Sequence, residues 1–549
     1  MNSSVLKKII RRINNKFFSQ DLKFKRRLNK FKKGYSKLNK KSPLVLIWDL
    51  GGFVDILRKN AILSTALNLR GYRTHFIICD GLSSACMQRG LEVKEELEDW
   101  PKKCAWCSNS MQSMAKKYRV KYSLISDFVS KEKAATFENI SSTIPLKDII
   151  NYKYLDISVG AIAWSSTNRY MKGFLTSFSD LDEKTEKIYR KYFYAALINT
   201  YLANEAIENL KPISILVSHG VYVDYAPPIL LGVKKGLSSI SWSSGYADFL
   251  HYFSIPRSKE KLQLRGIDDI EWGRRKNKDL TFEENKLLDD FIFNRYFKKQ
   301  ALDISILSDP VGVDKLKLSL DIKNNNPVAT IFSHVNWDAC FDFSTMIFES
   351  ANQWVVESIR KMIQIKDINW IIRVHPGELT NMSLFTTDDL IKKNFKTIPE
   401  HIKIIWSTSK INTYDLCKLT DVGITIFGTI GAELPSFGKP VIAAGDAHFS
   451  NKGFSFDAKN KEEYFSFLEN IKNIKPLTKE QIDLGRKYAF SYFIERQIPL
   501  NVINKSQGHW GDIDMKRLNE MLPGQDRYLD LICDGIINNK TVVAKSLEK

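Results

Sequence analysis

Short apolar runs separated by amphipathic stretches recur along most of this chain. Residues 422–427 and 441–444 are two such runs, rich in β-branched side chains and divided by a glycine turn and a short helix. This is the pattern of parallel βαβ units whose strands are buried on both faces. A similar unit opens near the N-terminus, with a strand over 44–48, a helix over 53–70 and a strand over 74–79. The pattern predicts an α/β fold with parallel sheets.

The length of the chain indicates more than one hydrophobic core. At 549 residues the chain exceeds the size of an ordinary single core, so two domains with additional segments are expected. The predicted segments are a basic amphipathic arm at 1–42, a first α/β domain at 43–255, a helical connection at 256–325, a second α/β domain at 326–500 and a helical extension at 501–549. We expect the extension to be only partly ordered.

Positive charge is concentrated at the N-terminus. The net charge is +20, but residues 1–42 carry fifteen Lys and Arg against one acid, which leaves +6 for the rest of the chain. Apolar residues recur within this arm at helical spacing: Leu6, Ile9, Ile10, Ile13 and Phe17. An apolar stripe flanked by Lys and Arg suits a helix lying on anionic lipid. The alternatives are an arm that binds nucleic acid and a helix that packs on the body.

No segment has the pattern of a membrane span or of a signal peptide. The chain contains no run of about 18 uncharged apolar residues. Its N-terminus lacks the apolar core and small-residue cleavage site of a secretory signal. No nucleic-acid-binding module follows the basic arm, so nucleic acid is not expected as a partner. We predict a cytoplasmic protein that residues 1–42 hold peripherally on the anionic inner face of the cell membrane.

The cysteines indicate a reducing compartment and one candidate metal site. The chain has seven cysteines, without the spacing of a disulfide framework. Cys104 and Cys107 have the two-residue spacing that lets two thiolates hold one metal, and Cys86 lies upstream. A tetrahedral zinc site needs four ligands, so a structural zinc ion at Cys86, Cys104 and Cys107 is one interpretation. An ordinary pair of reduced thiols is the other.

Unusual polar residues follow an apolar strand in the second half of the chain. Arg373 and His375 end the strand that begins at residue 371, and Glu378 follows. In open α/β sheets, ligands bind outside the carboxyl ends of the strands. Arg373 and His375 can contact an anion there, Arg in bidentate fashion. The alternative is that the His-Pro pair only terminates the strand.

The turn after residues 422–427 supplies a second part of the same predicted site. Gly428 and Gly431 bracket a helix start, where free N–H groups and the helix dipole favour a phosphate. Glycine also lets the backbone approach that phosphate closely. Glu433 is an acceptor suited to a ribose diol, although an acid there also suits the helix dipole alone. Together with residues 445–448 at a third strand end, these features predict a nucleotide site.

These residues also carry a resemblance to a known family. The segments RVHPGE (373–378) and DVGITIFGTIGAELPSFGKPVIAAG (421–445) resemble bacterial capsule and surface polysaccharide glycosyltransferases, in particular those of the Kdo-transferase type. The resemblance covers residues 327–453 well and the N-terminal half only in outline. It implies the GT-B fold, in which two Rossmann-like domains face a cleft. It further implies that His375 contacts the donor phosphate and that Glu433 contacts the ribose.

The resemblance extends to the rest of the donor site and to the substrate. Glu378, Ser407 and Thr429 lie within residues 327–453 and are also assigned to the donor, as is a polar loop at 333–338. The donor is expected to be a nucleotide-sugar, and a CMP-activated acidic sugar is favoured, with UDP- and GDP-sugars left open. No cofactor and no catalytic metal are required for this type of transfer. The family's N-terminal acidic catalytic motif is not recognisable in this chain.

The first domain is expected to bind the acceptor, a glycan or glycolipid. In GT-B enzymes the loop that corresponds to Gly51-Gly52 faces the cleft, and Arg169 is a further predicted acceptor contact. His219 and Asp224 lie in a loop after a later strand. Either is predicted to activate the acceptor hydroxyl, because a base must reach that group with a pKa near the working pH. A loop histidine without a function is the alternative for His219.

The predicted function is transfer of a sugar from a nucleotide-sugar to a hydroxyl of a surface polysaccharide or lipid-linked glycan. A CDP-glycerol or CDP-ribitol phosphotransferase shares the His-Pro strand, and its product would contain a phosphodiester. A UDP-sugar 2-epimerase has the same fold, but it would need no basic arm. A non-enzymatic scaffold of polysaccharide assembly would bind no nucleotide.

Overall fold

The computed structural model describes most of the chain but not the first part of the basic arm. The described residues are 22–35, 38–83, 85–90, 96–247, 249–256, 264–297, 307–338, 345–380, 383–508 and 511–544. The apolar stripe predicted between Leu6 and Phe17 lies outside these residues.

The first α/β domain is built on a sheet of buried strands. These are β1 (Leu44–Asp49), β2 (Arg73–Ile78), β3 (Tyr122–Leu124), β4 (Ser214–Ser218), β5 (Ser238–Ser244) and β6 (Leu250–Ser254). β1 is buried along its whole length, which explains its continuous apolar run. β6 runs antiparallel to β5, whereas β1 to β5 pair in parallel.

Helices cover this sheet and connect its strands. They are α1 (residues 22–35), α2 (Val54–Leu69), α3 (Trp100–Tyr118), α4 (Lys131–Thr143), α5 (Leu146–Ile149), α6 (Val159–Met171), α7 (Glu183–Leu210) and α8 (Tyr222–Lys234). The longest, α7, is capped by Asp182, whose side chain accepts the backbone N–H of Thr185. Its buried face includes Tyr192 and Ala196, as its apolar periodicity predicts.

The connection and the second domain follow the same plan. The connection contains α9 (Asp269–Lys276), α10 (Phe282–Phe297) and α11 (Val313–Ser319). The strands of the second domain are β7 (Val328–Phe332), β8 (Thr345–Met346), β9 (Asn369–Arg373), β10 (Ile402–Ile405), β11 (Val422–Thr425), β12 (Val441–Ala443), β13 (Gly445–Asp446) and β14 (Ser455–Asp457). Its helices are α12 (Ala351–Gln364), α13 (Gly377–Thr380), α14 (Thr387–Asn394), α15 (Thr413–Leu419), α16 (Ile430–Glu433), α17 (Lys461–Glu469) and α18 (Lys479–Phe490).

Both main sheets have the strand order of a doubly wound nucleotide-binding fold. The first runs β6-β5-β4-β1-β2-β3 and the second β10-β9-β7-β11-β12-β14. In each, the first strand lies in the middle, the next two flank it on one side and the later strands lie on the other, which is the Rossmann order 3-2-1-4-5-6. The prediction of two Rossmann-like α/β domains is therefore confirmed. The strand order reverses between β1 and β4 in one sheet and between β7 and β11 in the other.

The C-terminal segment returns to the first domain. It contains β15 (Ile498–Pro499), which pairs antiparallel with β6, and α19 (Arg527–Asn538). The hydroxyl groups of Ser214 and Ser238 donate to the carbonyl of Ile536 at 2.5 and 2.7 Å. Residues far apart in sequence therefore pack together on the first sheet, and the predicted boundaries at 43–255 and 501–549 stay a prediction. The extension also has more regular structure than we expected.

The described part of the basic arm packs on the body of the protein. Phe24 of α1 contacts Tyr118 at the end of α3, with ring centroids 5.7 Å apart. Lys32 donates to the backbone carbonyl of Tyr118 at 3.1 Å. For residues 22–35, packing on the body is thus the observed arrangement. None of the helices within the described ranges combines the length and the apolarity that crossing a membrane would take.

Candidate active site in the interdomain cleft

The points at which strand order reverses in the two sheets meet in one cleft. Tyr222, in the first turn of α8 after β4, donates to Asp338 Oδ1 at 3.1 Å, and Asp338 lies in the loop after β7. A guanidinium nitrogen of Arg265, from the connection, lies 3.7 Å from Asp338 Oδ2. Both domains and the connection therefore converge at the carboxyl ends of the strands, where this fold binds its ligands.

Two histidines from neighbouring strands form the second-domain wall of the cleft. His334 follows β7 and His375 follows β9, and their ring centroids are 6.3 Å apart. His334 also contacts Phe427 beyond the end of β11, with centroids 4.2 Å apart. This proximity arises because β7 pairs in parallel with both β9 and β11. The two strand ends that the sequence singled out, at His375 and Gly428, thus lie beside the same central strand.

Backbone hydrogen bonds determine the tautomer of His375. The N–H of Gly377 donates to Nδ1 at 3.0 Å, so Nδ1 carries a lone pair and the ring proton resides on Nε2. The N–H of His375 itself donates to Ser333 Oγ at 2.9 Å, which ties this loop to the end of β7. The half-buried ring therefore presents Nε2–H as a donor. A preset donor of this kind suits a phosphate oxygen.

Positive charge dominates the middle of the cleft. Besides Arg265, the guanidinium of Arg169 lies 5.5 Å from the centre of the Tyr222 ring. Burial opposes the charged form of Asp338, but Arg265, His334 and Tyr222 outweigh it and hold the pKa of that carboxyl below its ordinary value. Asp338 is therefore an anion that neutralises only part of the charge. The remaining positive potential favours an anionic ligand.

His219 lies at the end of β4 with its ring toward this charged group. Its backbone has φ 55°, an uncommon conformation for a residue other than glycine. Its ring stacks on Tyr225 with centroids 6.1 Å apart. Burial, together with the charges of Arg169 and Arg265, lowers the pKa of His219 to about 4. The imidazole is thus neutral at pH 7, and its Nδ1 has no hydrogen-bond partner among the residues that the structure describes.

Asp224, the other predicted base, already holds a loop in place. It is buried in the first turn of α8, and its Oδ2 accepts the N–H of Met87 at 2.7 Å. Burial raises the pKa of Asp224 to about 7, although Met87 and Arg169 act in the opposite direction. The carbonyl of Met87 in turn accepts from Arg169 at 2.8 Å. Of the two predicted bases, His219 is therefore the one with a buried ring nitrogen that has no partner among the described residues.

Three of the predicted donor-binding residues are buried and have partners within the protein, and their role toward the donor stays a prediction. Arg373 is buried and donates to a backbone carbonyl at 3.0 Å, and burial lowers its pKa to about 10. Glu378 is buried and accepts the N–H and the hydroxyl of Thr387, both at 2.8 Å. Ser407 donates through its N–H and its hydroxyl to Asp388. These contacts hold the strand ends in place, although the Nε of Arg373 has no partner among the described residues.

The glycine turn after β11 is compact. Gly428 and Thr429 are half-buried beside the contact between His334 and Phe427, and their role toward the donor stays a prediction. A Cβ at Gly431 would lie 2.1 Å from the nearest ring atom of Phe449, so packing requires a glycine there. α16 has only four residues, so the predicted help from a helix dipole is small.

Glu433 faces the connection, which departs from the predicted ribose contact. The hydroxyl of Tyr296, from α10, donates to its Oε2. A guanidinium nitrogen of Arg295 lies 3.7 Å from its Oε1. Glu433 is almost fully buried, and a ribose contact would require it to exchange these partners. In this arrangement it joins the connection to the second domain.

The turn predicted to meet the acceptor is shaped by close packing. A Cβ at Gly51 would lie 1.9 Å from the Tyr225 hydroxyl. Gly52 has φ 70°, and its carbonyl accepts from Gln88 at 2.9 Å. Both positions therefore require glycine for local reasons. A contact of this turn with the acceptor stays a prediction.

The cysteines do not form the predicted metal site. Among the described residues, no group of three His, Cys, Asp or Glu side chains could hold a metal ion. The thiol of Cys104 accepts from Arg89 at 2.8 Å, and that of Cys107 lies 3.9 Å from the Gly52 carbonyl. Cys86, Cys104 and Cys107 are not joined in disulfides. The interpretation as ordinary reduced thiols fits this geometry.

Arg265 has a position in the cleft that no sequence pattern indicates. It lies in the stretch LQLRGIDD of the predicted connection, where a single arginine forms no pattern. Only the fold brings it beside Asp338. His448 is a second example, since the sequence marked it only as a strand end. Its Nδ1 bonds the Tyr488 hydroxyl at 2.8 Å, and burial together with the charge of Arg265 lowers its pKa to about 3.

Comparison with known proteins finds similarity only among solved structures. No family model and no curated protein matches the chain. The KpsC β-Kdo 2,7-transferase of Thermosulfurimonas dismutans is 12% identical, with a TM-score of 0.33, over 58% of this chain and 87% of that one. The spinosyn rhamnosyltransferase SpnG is 9% identical, with a TM-score of 0.24, over 81% of this chain and 96% of that one.

A third solved structure represents a different reaction. The UDP-GlcNAc 2-epimerase of Neisseria meningitidis is 9% identical, with a TM-score of 0.23, over 81% of this chain and 95% of that one. KpsC is of the class that the segments around His375 and Glu433 resemble. TM-scores and identities this low carry no argument about activity, donor or acceptor, which must come from the cleft itself.

Proposed function

We propose that this protein is a metal-independent glycosyltransferase that moves a sugar from a nucleotide-sugar to a hydroxyl group of a glycan. The observation that carries the proposal is the cleft between two Rossmann-like sheets, where His375, Arg265 and Arg169 surround the carboxyl ends of the strands. A nucleotide-sugar has an anionic linker, and this cleft supplies positive charge and a preset N–H donor.

The proposed reaction assigns a role to each of these groups. The acceptor oxygen attacks the anomeric carbon, the bond from that carbon to the phosphate oxygen breaks, and the nucleotide leaves as an anion. His219 Nδ1 takes the proton of the acceptor hydroxyl. His375 Nε2–H and Arg265 stabilise the departing phosphate. The anionic donor also offsets the arginine charges that lower the pKa of His219, which makes this histidine a stronger base in the complex.

Asp338 orients this arrangement. One carboxylate oxygen accepts a hydrogen bond from Tyr222 of the first domain, and the other forms an ion pair with Arg265 of the connection. A carboxylate held between two domains fixes the distance between the acceptor side and the donor side of the cleft. Precise positioning of this kind accounts for a large part of catalysis in two-substrate reactions.

The proposal extends to the substrates and to the site of action. An acidic sugar activated by CMP is the favoured donor, because the sequence resembles Kdo transferases and because a carboxylate on the sugar would find a second guanidinium at Arg169. The acceptor is a surface polysaccharide or a lipid-linked glycan. The fifteen basic residues of 1–42 would hold the protein on the anionic inner face of the membrane, where such acceptors lie.

A nucleotide screen followed by product analysis tests the proposal. Thermal stability is measured with CMP, CDP, UDP and GDP, and the best nucleotide is then supplied as its sugar conjugates with membrane glycolipid extracts. A glycoside in the mass spectrum of the product supports glycosyl transfer. A transferred polyol phosphate would instead identify a phosphotransferase. Stabilisation by none of the nucleotides would favour a scaffold.

A further inference from the structure

The first domain contains a second cavity, separate from the contacts of the interdomain cleft. It has a volume of about 360 Å³ and opens at the carboxyl ends of β1 and β2. Its walls include Leu50 and the four thiols of Cys79, Cys86, Cys104 and Cys107. Small-molecule sites typically have about 300–1,000 Å³ and mainly apolar linings. Size and position are therefore those of a ligand site.

The thiols make this cavity apolar. Burial raises the pKa of the Cys79, Cys86 and Cys107 thiols above the ordinary thiol value, and that of Cys79 well above it. Neutral thiols are weak hydrogen-bonding groups that pack like small apolar side chains. Within the described ranges these cysteines are also not arranged to hold a metal ion. The inner wall therefore suits hydrocarbon.

One buried polar atom lines the cavity without a partner. Ser83 is 3% exposed, and its hydroxyl oxygen makes no hydrogen bond within the described part of the chain. Buried hydroxyl groups are rarely left unpaired, because they have lost their hydration without gaining a hydrogen bond in return. A ligand atom that bonds this hydroxyl would remove the deficit.

The mouth of the cavity is aromatic and basic. Trp106 lines it and is 75% exposed, an unusual position for a side chain of this size. Lys102 and Lys103 lie on the same helix, α3, and also line the cavity. Lys102 is paired with Asp99 at 3.2 Å, and such exposed ion pairs are weak enough to be exchanged for a ligand. The entrance thus combines an exposed indole with positive charge.

We propose that this cavity binds an amphipathic organic anion, with its hydrocarbon chain against Leu50 and the four thiols and its phosphate-like group at Lys102 and Lys103. Trp106 would cover the junction between the two parts of the ligand, as tryptophan does between apolar and aqueous surroundings. The site does not depend on the transfer reaction proposed for the cleft. Its ligand could reach it from a bilayer or from solution, and the experiment separates these sources.

The loop at residues 86–89 lies between this cavity and the cleft. Cys86 and Arg89 line the cavity, whereas Met87 holds Asp224 and Arg169 on the cleft side. A ligand in the cavity would therefore affect the cleft through this one short loop. This coupling gives the test a second readout, since the ligand should alter nucleotide affinity.

Calorimetric titration of the full-length protein tests the proposal directly. Dodecyl phosphate is the probe, used below its critical micelle concentration. Two half-probes serve as controls: dodecyl maltoside has the hydrocarbon chain without the charge, and inorganic phosphate has the charge without the chain. We expect binding of dodecyl phosphate and at least about tenfold weaker binding of either half-probe. Repeating the titration with vesicles of phosphatidylcholine, with and without phosphatidic acid, shows whether the protein also extracts its ligand from a bilayer.

Surface variants locate the binding, because all of them should fold. K102E/K103E and W106A should each weaken binding of dodecyl phosphate, the double charge reversal by about tenfold or more. K116E changes an exposed lysine of the same helix that does not line the cavity, and it should leave affinity unchanged.

Three results would overturn the inference. The first is no binding of dodecyl phosphate, and the second is an equal loss in K116E and K102E/K103E. The third is stoichiometric zinc or iron in the purified protein that Cys104→Ser removes, which would make the thiols metal ligands.

Discussion

The tautomer of His375 gives a prediction that separates its two ring nitrogens. Nδ1 accepts the N–H of Gly377 at 3.0 Å, and Nε2–H is the proposed donor to the phosphate. In His375→Asn the side-chain oxygen takes the place of Nδ1, so the loop contact is kept and the donor is lost. In His375→Gln the side-chain amide takes the place of Nε2, so a donor is kept. His375→Ala loses both groups.

The expected magnitudes follow from these contacts. A hydrogen bond to a charged group contributes about 1.5–3 kcal/mol, so His375→Asn should raise the nucleotide Kd by about 10- to 150-fold. His375→Gln should lose much less affinity. His375→Ala should bind as weakly as His375→Asn and should also lower the free energy of unfolding by about 1–3 kcal/mol, because the buried N–H of Gly377 loses its acceptor.

The assay is calorimetric titration with the nucleotide that stabilises the wild type most, combined with denaturant unfolding of each variant. His401→Asn is the matched control, because this histidine bonds the backbone carbonyl of Met362 at 3.1 Å at the start of β10, at the opposite end of the strand from the cleft. Its substitution should leave nucleotide affinity unchanged. Wild-type affinity in His375→Asn, or equal affinities in His375→Gln and His375→Ala, would refute the reasoning.

Three further predictions concern stability, each measured by chemical denaturation. Gly431→Ala should lower the free energy of unfolding by about 1–3 kcal/mol, because the added methyl group would lie 2.1 Å from an aromatic ring. Gly273→Ala is the control and should not lower it, because a Cβ there would have no neighbour within 4 Å. Equal effects of the two substitutions would contradict the packing argument. Asp49 is buried with a pKa of about 7 but releases its proton near pH 3.8 when unfolded, so its contribution to stability should fall as the pH rises between these values. The free energy of unfolding of Asp49→Asn should therefore gain on that of the wild type over this range, and a difference between the two that does not change with pH would refute this. Glu433→Ala should lower the free energy of unfolding by about 3–5 kcal/mol, since the buried guanidinium of Arg295 loses its carboxylate. A decrease below about 0.5 kcal/mol would show that this ion pair does not stabilise the fold.

The sequence predicted the two cores well because buried parallel strands leave a local record. β1 and β11 are fully buried, and their apolar runs are visible without knowledge of their neighbours. The strand ends at His375 and Gly428 could be assigned to one site for the same reason, since parallel strands end at the same edge of a sheet. These inferences need only short stretches of chain.

Contacts between residues far apart in sequence could not be predicted in this way. Tyr222 and Asp338 are 116 positions apart, and neither lies in a motif that indicates its partner. The pairing of β15 with β6 joins a two-residue strand to a domain that begins more than 400 positions earlier. Glu433 is a further example, because an acid at a helix start suggests a ribose contact but gives no sign of the tyrosine hydroxyl that the connection places beside it.

A structure of the protein with its preferred nucleotide diphosphate or monophosphate tests the central claim most directly. The account predicts phosphate oxygens within about 3.2 Å of His375 Nε2 and of a guanidinium nitrogen of Arg265, at the carboxyl ends of β7, β9 and β11. A nucleotide bound elsewhere, with these two side chains in contact with neither phosphate nor sugar, would contradict it.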